Sequence, residues 1–401
     1  MNLQSFSSPA FFENPYPLYE QIRQAGPLLP LGPNVFVTGR HAVIDALLRD
    51  RRMGKTYLQS VQARYGEAAT QQPVFQALSR TFLMMNPPAH TRLRALLMQA
   101  FNQRQVEAMR QIVAATTQRL LDRIGPQAEF DIVADFALPL PVEIICRMLD
   151  IPLEHGERLG AHAARLASAL DLAPLDADQL ALADEAALVL EAHFRDVVAQ
   201  RRAHPGDDLI SALVAAEEDG TTLSVDEIVS NVILLFVAGH ETTSNMIGNT
   251  MIALFRNPDQ LQRLRTDASL VRNAVVECMR HDGAVQMVVR TAMEDVEAGG
   301  AHVPRGSIVF MLLGAANRDP AVFADPDRLD IERDATAALG FGGGIHYCLG
   351  ARLAMMEIEV AIRALLGRFP DLRPVDLEQL AWHRRNNLRG VQALKVRTAG
   401  R

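Results

Sequence analysis

Only three cysteines occur in the 401 residues, at positions 146, 278 and 348. They are far apart and odd in number, which gives neither a disulfide framework nor a zinc-ligand spacing. No apolar run approaches the ~20 residues that a membrane span requires. The longest, VILLFVAG at 232–239, runs straight into His240 and Glu241. The opening stretch MNLQSFSSPAFFENPYP lacks the basic start and apolar centre of a secretory signal. A soluble, cytoplasmic protein with no membrane partner is expected. There is no excess of basic charge either: the net charge is −7, so nucleic acid is not an expected partner. Internal repeats, low-complexity tracts and Pro/Gly/Ser linkers are all missing, and a single domain over 1–401 is expected. What is present, 49% apolar and 22% charged residues, is ordinary globular composition.

Strand-like pieces are also scarce, with NVFVTG at 34–39 and SIVFMLL at 307–313 the clearest. Apolar residues at helical spacing dominate instead, over 106–125, 179–203, 225–256, 268–281 and 351–369. The spacing predicts a mainly α fold with small β-sheets. HPGDDL at 204–209 and EEDGTT at 217–222 read as turns between helices. Segment 225–256 is the best marked helix: Ser224 and Glu227 give a capping box, and Asn257-Pro258 closes the far end. Its length is roughly 48 Å at 1.5 Å per residue. Its middle is apolar, yet it carries AGHETTSN at 238–245.

The segment FGGGIHYCLG, 341–350, packs four glycines around Cys348. Glycine costs backbone entropy and is used where unusual dihedrals or close backbone approach are needed. Two readings stand side by side. One is a buried, inert cysteine next to a turn. The other is a thiolate presented as a soft ligand, of the kind that can hold haem iron, beside the N-terminus of the helix beginning at ARLAMMEIEVAIRALL. The glycine spacing is not a dinucleotide fingerprint, because no strand–helix alternation surrounds it. HETTS at 240–244 is not a zinc-protease helix, because Ser244 stands where the second histidine ligand would be.

The pattern F-x-x-G-x-x-x-C-x-G, filled by Phe341, Gly344, Cys348 and Gly350, resembles the haem-binding signature of the cytochrome P450 family. Further segments follow in that family's order: HTRLR at 90–94, AGHETT at 238–243, ECMR at 277–280 and DPDRLDIER at 325–333, with Leu329 where phenylalanine is usual. The resemblance covers nearly the whole chain. It implies the P450 fold with a long central helix over haem b, and Cys348 as the thiolate ligand of the iron. It assigns Phe341, Gly344, Gly350 and Ala238 to the haem surroundings, and His90, Arg94, Arg290 and His346 to the two propionates. His90 and Arg94 would stand on a helix capped by Asn86. Glu277 and Arg280 would form a buried structural network with Arg328. Thr242 is expected to hydrogen-bond dioxygen and Glu241 to relay protons, with a bulge near Gly239 making room. Thr243 reads as a buried hydroxyl satisfied by its own helix.

The implied activity is a monooxygenase that hydroxylates or epoxidises a fairly large apolar natural product, of polyketide, macrolide, terpene or steroid type. Electrons would come from NAD(P)H through a separate ferredoxin and its reductase, since no flavin or iron–sulfur segment occurs here. Arg92, Arg104 and Arg352 are candidates for the docking face. The chain is expected to act as a monomer. Met287, Val288, Val289 and Leu388 are candidate pocket residues, beside stretches 55–85 and 165–185. HDGAV at 281–285 departs from the family's usual aromatic–acid–Ser/Thr–Pro sequence. A peroxide-dependent haem enzyme and a haem-thiolate sensor are the competing readings. Intact Glu241-Thr242 argues against the first, and the lack of an output segment against the second.

Overall fold

The computed structural model describes residues 3–125, 129–171, 173–218 and 220–398. Two stretches singled out above are therefore described only in part: Leu172 and Asp219 lie outside the described residues. The chain divides into two compact units. The first comprises Met1–Gly54, Val113–Leu140 and Thr242–Arg401, and the second Lys55–Ile112 and Pro141–Glu241.

The first unit holds most of the β structure. Its largest sheet runs Leu29–Gly32, Val35–Thr38, Ile308–Leu312, Met287–Ala292, Met53–Gly54. The pair Val35–Thr38 and Ile308–Leu312 is parallel, and the other neighbours are antiparallel. Strand IVFML is a continuous apolar run because it is central and covered, whereas a half-exposed strand would alternate. Its register sets Val309 opposite Arg290, Phe310 opposite Val289 and Met311 opposite Val288. Val43, Ile44, Leu47 and Leu48 pack with Met53, Ala292, Val309 and Met311 in one buried cluster. The helix Ala351–Arg368 buries Leu353, Met356, Ile358, Ile362 and Leu365 at helical spacing. A second sheet joins Arg373–Pro374, Lys395–Arg397 and Glu129–Asp131.

The second unit is almost all helix. Its longest complete helix, Ala177–Ala203, starts at a capping box in which Asp176 and Gln179 each bond the other's backbone N–H. It buries the small residues Ala183, Ala186 and Ala187 and packs against helices Leu153–Ser168 and Pro73–Ser79. Phe194 stacks 6.1 Å from Phe236. The predicted turn at 217–222 is a short hairpin, Glu217–Glu218 paired with Thr221–Thr222.

The helix Val225–Arg256 has the bounds read from the sequence. Its capping box is formed: the Ser224 amide donates to Glu227 Oε2 at 2.9 Å, and the Glu227 amide to Ser224 Oγ at 3.2 Å. One capping expectation fails. Asn86 does not cap the helix Ala89–Ala100 with its side chain. Its carboxamide is taken by the Lys55 backbone, accepting from the amide and donating to the carbonyl at 2.7 Å each. Among the described residues no helix is long and apolar enough to cross a membrane.

Candidate active site

The Cys348 segment is a tight loop. The Cys348 amide donates to the Phe341 carbonyl at 3.0 Å, and the Tyr347 amide to the Gly344 carbonyl at 3.1 Å. Gly344 has φ +64°, and a Cβ there would run into the carbonyl oxygen of Leu48, so only glycine fits. Leu48 belongs to the buried cluster behind the sheet, which gives the loop a rigid seat. The chain turns into helix Ala351–Arg368 at its N-cap Gly350, two residues past Cys348. A helix start of this kind favours negative charge in its vicinity. Cys348 is exposed, whereas Cys146 and Cys278 are buried. Burial pushes the Cys146 thiol up to about 11. The inert-cysteine reading therefore describes the other two cysteines and not this one. Phe341 is half-buried, its ring 6.3 Å from that of Tyr347.

Arg290 lies in the same unit, on strand Met287–Ala292. It is 6% exposed, and its one hydrogen bond is from Nη1 to the Val289 carbonyl at 3.0 Å. No carboxylate pairs with it among the described residues, and burial lowers it to about 10. A buried guanidinium without a counter-charge is costly, and an anionic partner would relieve that cost. His346 sits half-buried on the single 3-10 turn Gly344–His346, two residues before Cys348.

Glu277 and Arg280 are both fully buried on helix Val271–Asp282. Arg280 grips Glu277 through Nε at 2.7 Å and Nη2 at 2.8 Å. It also donates to the carbonyls of Asn317, Pro326 and Arg328. Arg328 therefore joins the network by its backbone only, and its side chain is exposed. The third charged partner is Arg333, whose Nε reaches Glu277 Oε1 at 3.1 Å. The Asp330 amide donates to the same oxygen at 3.0 Å. The network clamps 317–333, the segment leading into the Cys348 loop. The Leu339 amide adds a tie to Asn317 Oδ1 at 2.7 Å.

The helix Val225–Arg256 runs unbroken through Gly239 and Thr242, so the expected bulge is not formed. Room comes from the missing side chains instead. Ala238 is exposed in a stretch where Val237 and His240 are buried. Glu241 and Thr242, at i+3 and i+4 from it, share that side of the helix and are half-buried. Thr243 points into the buried side, at 3% exposure. His240 is 4% exposed, its Nδ1 lies 2.7 Å from the Phe236 carbonyl, and burial lowers its proton affinity. It is a satisfied core residue.

In the second unit, His90 is buried on helix Ala89–Ala100 with its ring 6.1 Å from Phe82. Arg94 lies over the same ring, 5.8 Å from its centre. Arg92 is paired with Glu227, whereas Arg104 is exposed. In the first unit, Arg352 is exposed. Of the pocket candidates, Val289 and Leu388 are half-buried, Met287 is buried, and Val288 packs against the sheet-side cluster. Sequence reading missed Arg333 and the pairing of Asp282 with Arg389, whose Nε–Oδ1 distance is 2.8 Å. The only sequence signal for the latter was the unusual HDGAV.

A family model described as Cytochrome P450 matches residues 181–378. A putative cytochrome P450 133B2 of Xylella fastidiosa (strain 9a5c) is 51% identical over 394 residues, covering 98% of each chain. The 6-deoxyerythronolide B hydroxylase of Saccharopolyspora erythraea is 36% identical and covers 98% of each chain. The crystal structure of P450BioI in complex with hexadec-9Z-enoic acid ligated acyl carrier protein superposes with a TM-score of 0.91 at 33% identity. That likeness covers 97% of this chain and 100% of the other. The cysteine loop, the Glu277–Arg280 pair and this full-length identity agree: the chain belongs to the cytochrome P450 family of haem-thiolate monooxygenases.

Proposed function

We propose that the protein oxygenates a fairly large apolar small molecule at a haem held by Cys348, with electrons delivered by a separate ferredoxin and reductase. The observation that carries this reading is the exposed Cys348, on a loop seated against Leu48 at the start of a helix. Arg290 supports it: a buried guanidinium lacking a carboxylate suits a propionate. These residues fit a haem. When bound, it supplies reductive activation of dioxygen and insertion of one oxygen atom into substrate. His346 would share the propionate charge with Arg290, and the family resemblance adds His90 and Arg94.

This chain's own residues do the rest. The Cys348 thiolate is kept anionic by the helix start that follows it. Phe341, Gly344 and Gly350 shape the loop around the sulfur. Ala238 leaves space beside Thr242. Thr242 Oγ1 would hold a proton on the haem side of the helix, and the half-buried Glu241 carboxylate would take protons from water and pass them on. Val289 and Leu388, both half-buried, would offer apolar surface to substrate, with Met287 and Val288 packed behind them, which favours an apolar substrate held with few polar contacts. The whole chain, 1–401, works as one functional domain.

The test is turnover with ferredoxin, reductase and NAD(P)H on compounds that shift the ferric spectrum. Macrolactones, steroids, terpenes and long-chain acyl groups, free or on acyl carrier protein, form the panel. Product carrying one atom of dioxygen is expected. In Thr242→Ala, most electrons are expected to leave as peroxide. Fully coupled turnover in that variant would contradict the proton role of Thr242.

A further inference from the structure

Two residues beyond Arg280 on the same helix, Asp282 forms a second buried ion pair, with a partner far away in sequence. Asp282 is 7% exposed. Its Oδ1 accepts from Arg389 Nε at 2.8 Å and from the Tyr16 hydroxyl at 2.7 Å. Arg389, also 7% exposed, donates through Nη1 to the Phe12 carbonyl and through Nη2 to the Glu13 carbonyl. Its guanidinium lies 3.5 Å from the centre of the Trp382 ring. Each guanidinium nitrogen has a partner, and one face of the cation is stacked.

The backbone of Arg389 is held as firmly as its side chain. Its amide donates to the Ala284 carbonyl at 2.7 Å. Its carbonyl accepts from Asn249 Nδ2 at 3.0 Å, and the same Asn249 amide reaches the Asp282 carbonyl at 3.2 Å. On one side Gly390 lies so close to Asn245 that a Cβ would overlap the Asn245 carboxamide. Asn245 stands three residues after Thr242 on the long helix. On the other side Leu388 bridges Val285 antiparallel, and the Gln286 amide donates to the Asn387 carbonyl at 2.9 Å. Asn386 is tied to the Phe6 carbonyl. Leu388 is thus a half-buried bridge residue directly after the bend at 386–387, held on both sides, next to the residues that lead into strand Met287–Ala292.

We infer that the Asp282–Arg389 pair, with Tyr16 and Asn249, is a positioning device that sets where Leu388 stands against Val285–Val289, and so sets the shape of the substrate wall. This rests on the proposal that Leu388 and Val289 face substrate. A buried ion pair is a poor way to gain stability, since its desolvation offsets most of the attraction. It is a good way to fix a geometry, because a guanidinium with several donors and a stacked ring has one position. An apolar pair would let the turn slide. A shift of about 1 Å in such a wall is enough to change how a bulky ligand fits.

The experiment uses the haem-loaded protein and two iron-ligating probes, followed by the shift of the ferric spectrum. Imidazole is small and reads access to the iron alone. Clotrimazole, a bulky triaryl imidazole, must also fit the wall. In Asp282→Asn and Asn249→Ala we expect clotrimazole affinity to change by roughly tenfold, while imidazole affinity and haem loading stay as in the parent protein. Asn249→Ala leaves no charge unpaired, so it keeps the test open if Asp282→Asn folds poorly. Unchanged clotrimazole binding in Asn249→Ala would overturn the positioning role. Equal losses for both probes would overturn it as well, since that is the signature of general loosening. Leu388→Ala tests the underlying reading separately: if it leaves clotrimazole binding untouched, Leu388 is not part of the wall.

Discussion

Glu277 and Asp282 are five positions apart on one helix, both buried, both held by arginine, and they serve different ends. Glu277 meets Arg280 one turn away and then gathers Asp330 and Arg333 from the following segment. Asp282 is held by Tyr16 and Arg389, partners from the two ends of the chain. The first pair braces the approach to the Cys348 loop. The second holds the bend beside Leu388, the residue proposed to face substrate. A third buried carboxyl, Glu357, completes the contrast: it is 3% exposed, its Oε2 has no hydrogen-bond partner among the described residues, and burial alone raises it to about 8. Arginine and a tyrosine hydroxyl hold Asp282 below its ordinary value, whereas burial without a charged partner keeps the proton on Glu357.

The contrast can be broken most sharply at Glu277. Glu277→Ala leaves Arg280 charged and buried without its partner, which is expected to cost about 3–5 kcal/mol and most of the haem loading. Normal holo-protein yield and thermal stability would refute the bracing role. Glu357→Gln works in the opposite direction. The folded value near 8 lies above the ordinary 4.5, so the folded state holds the extra proton, and stability falls as pH rises from about 4.5 to about 8. The glutamine variant should gain ~4–5 kcal/mol over the parent at alkaline pH and nothing in acid. Melting curves at both ends of the range decide it.

The smallest effect belongs to Tyr16→Phe. Burial raises the Asp282 carboxyl, but Arg389, the Tyr16 hydroxyl and Arg318 outweigh it and hold it below 3.8. Its contribution is present above that value and lost as pH falls through the lower, folded one. Removing the hydroxyl should cost about 1 kcal/mol near neutrality and move the acid loss to higher pH. An acid-denaturation midpoint identical to the parent's would show that the neighbouring charges set the ionisation without the hydroxyl.

Legibility followed distance along the chain. The helix Val225–Arg256 could be bounded because its capping box and its Asn-Pro stop are local. Glu277 and Arg280 could be paired because one helical turn separates them. The FGGGIHYCLG loop showed itself through glycines whose need, at Gly344, is a collision with Leu48 far upstream that the residue type betrays. What failed was whatever a distant partner decides. Asn86 spends its amide on Lys55. Arg333 occupies the place expected for the Arg328 side chain because the segment turns the latter to solvent. The helix stays regular at Gly239 where a break was expected, since Ala238 and Gly239 already leave space. Asp282 and Arg389 lie 107 residues apart and carry no periodic signal at all.

The most direct test of the account is the absorption spectrum of the purified protein, reduced and exposed to carbon monoxide, beside that of Cys348→Ser. The account predicts a strongly red-shifted Soret band in the parent and its loss in the variant, because the shift requires an anionic sulfur on the iron. A band of the histidine or neutral-thiol type in the parent, or an unchanged spectrum in Cys348→Ser, would contradict the assignment of Cys348 as the iron ligand.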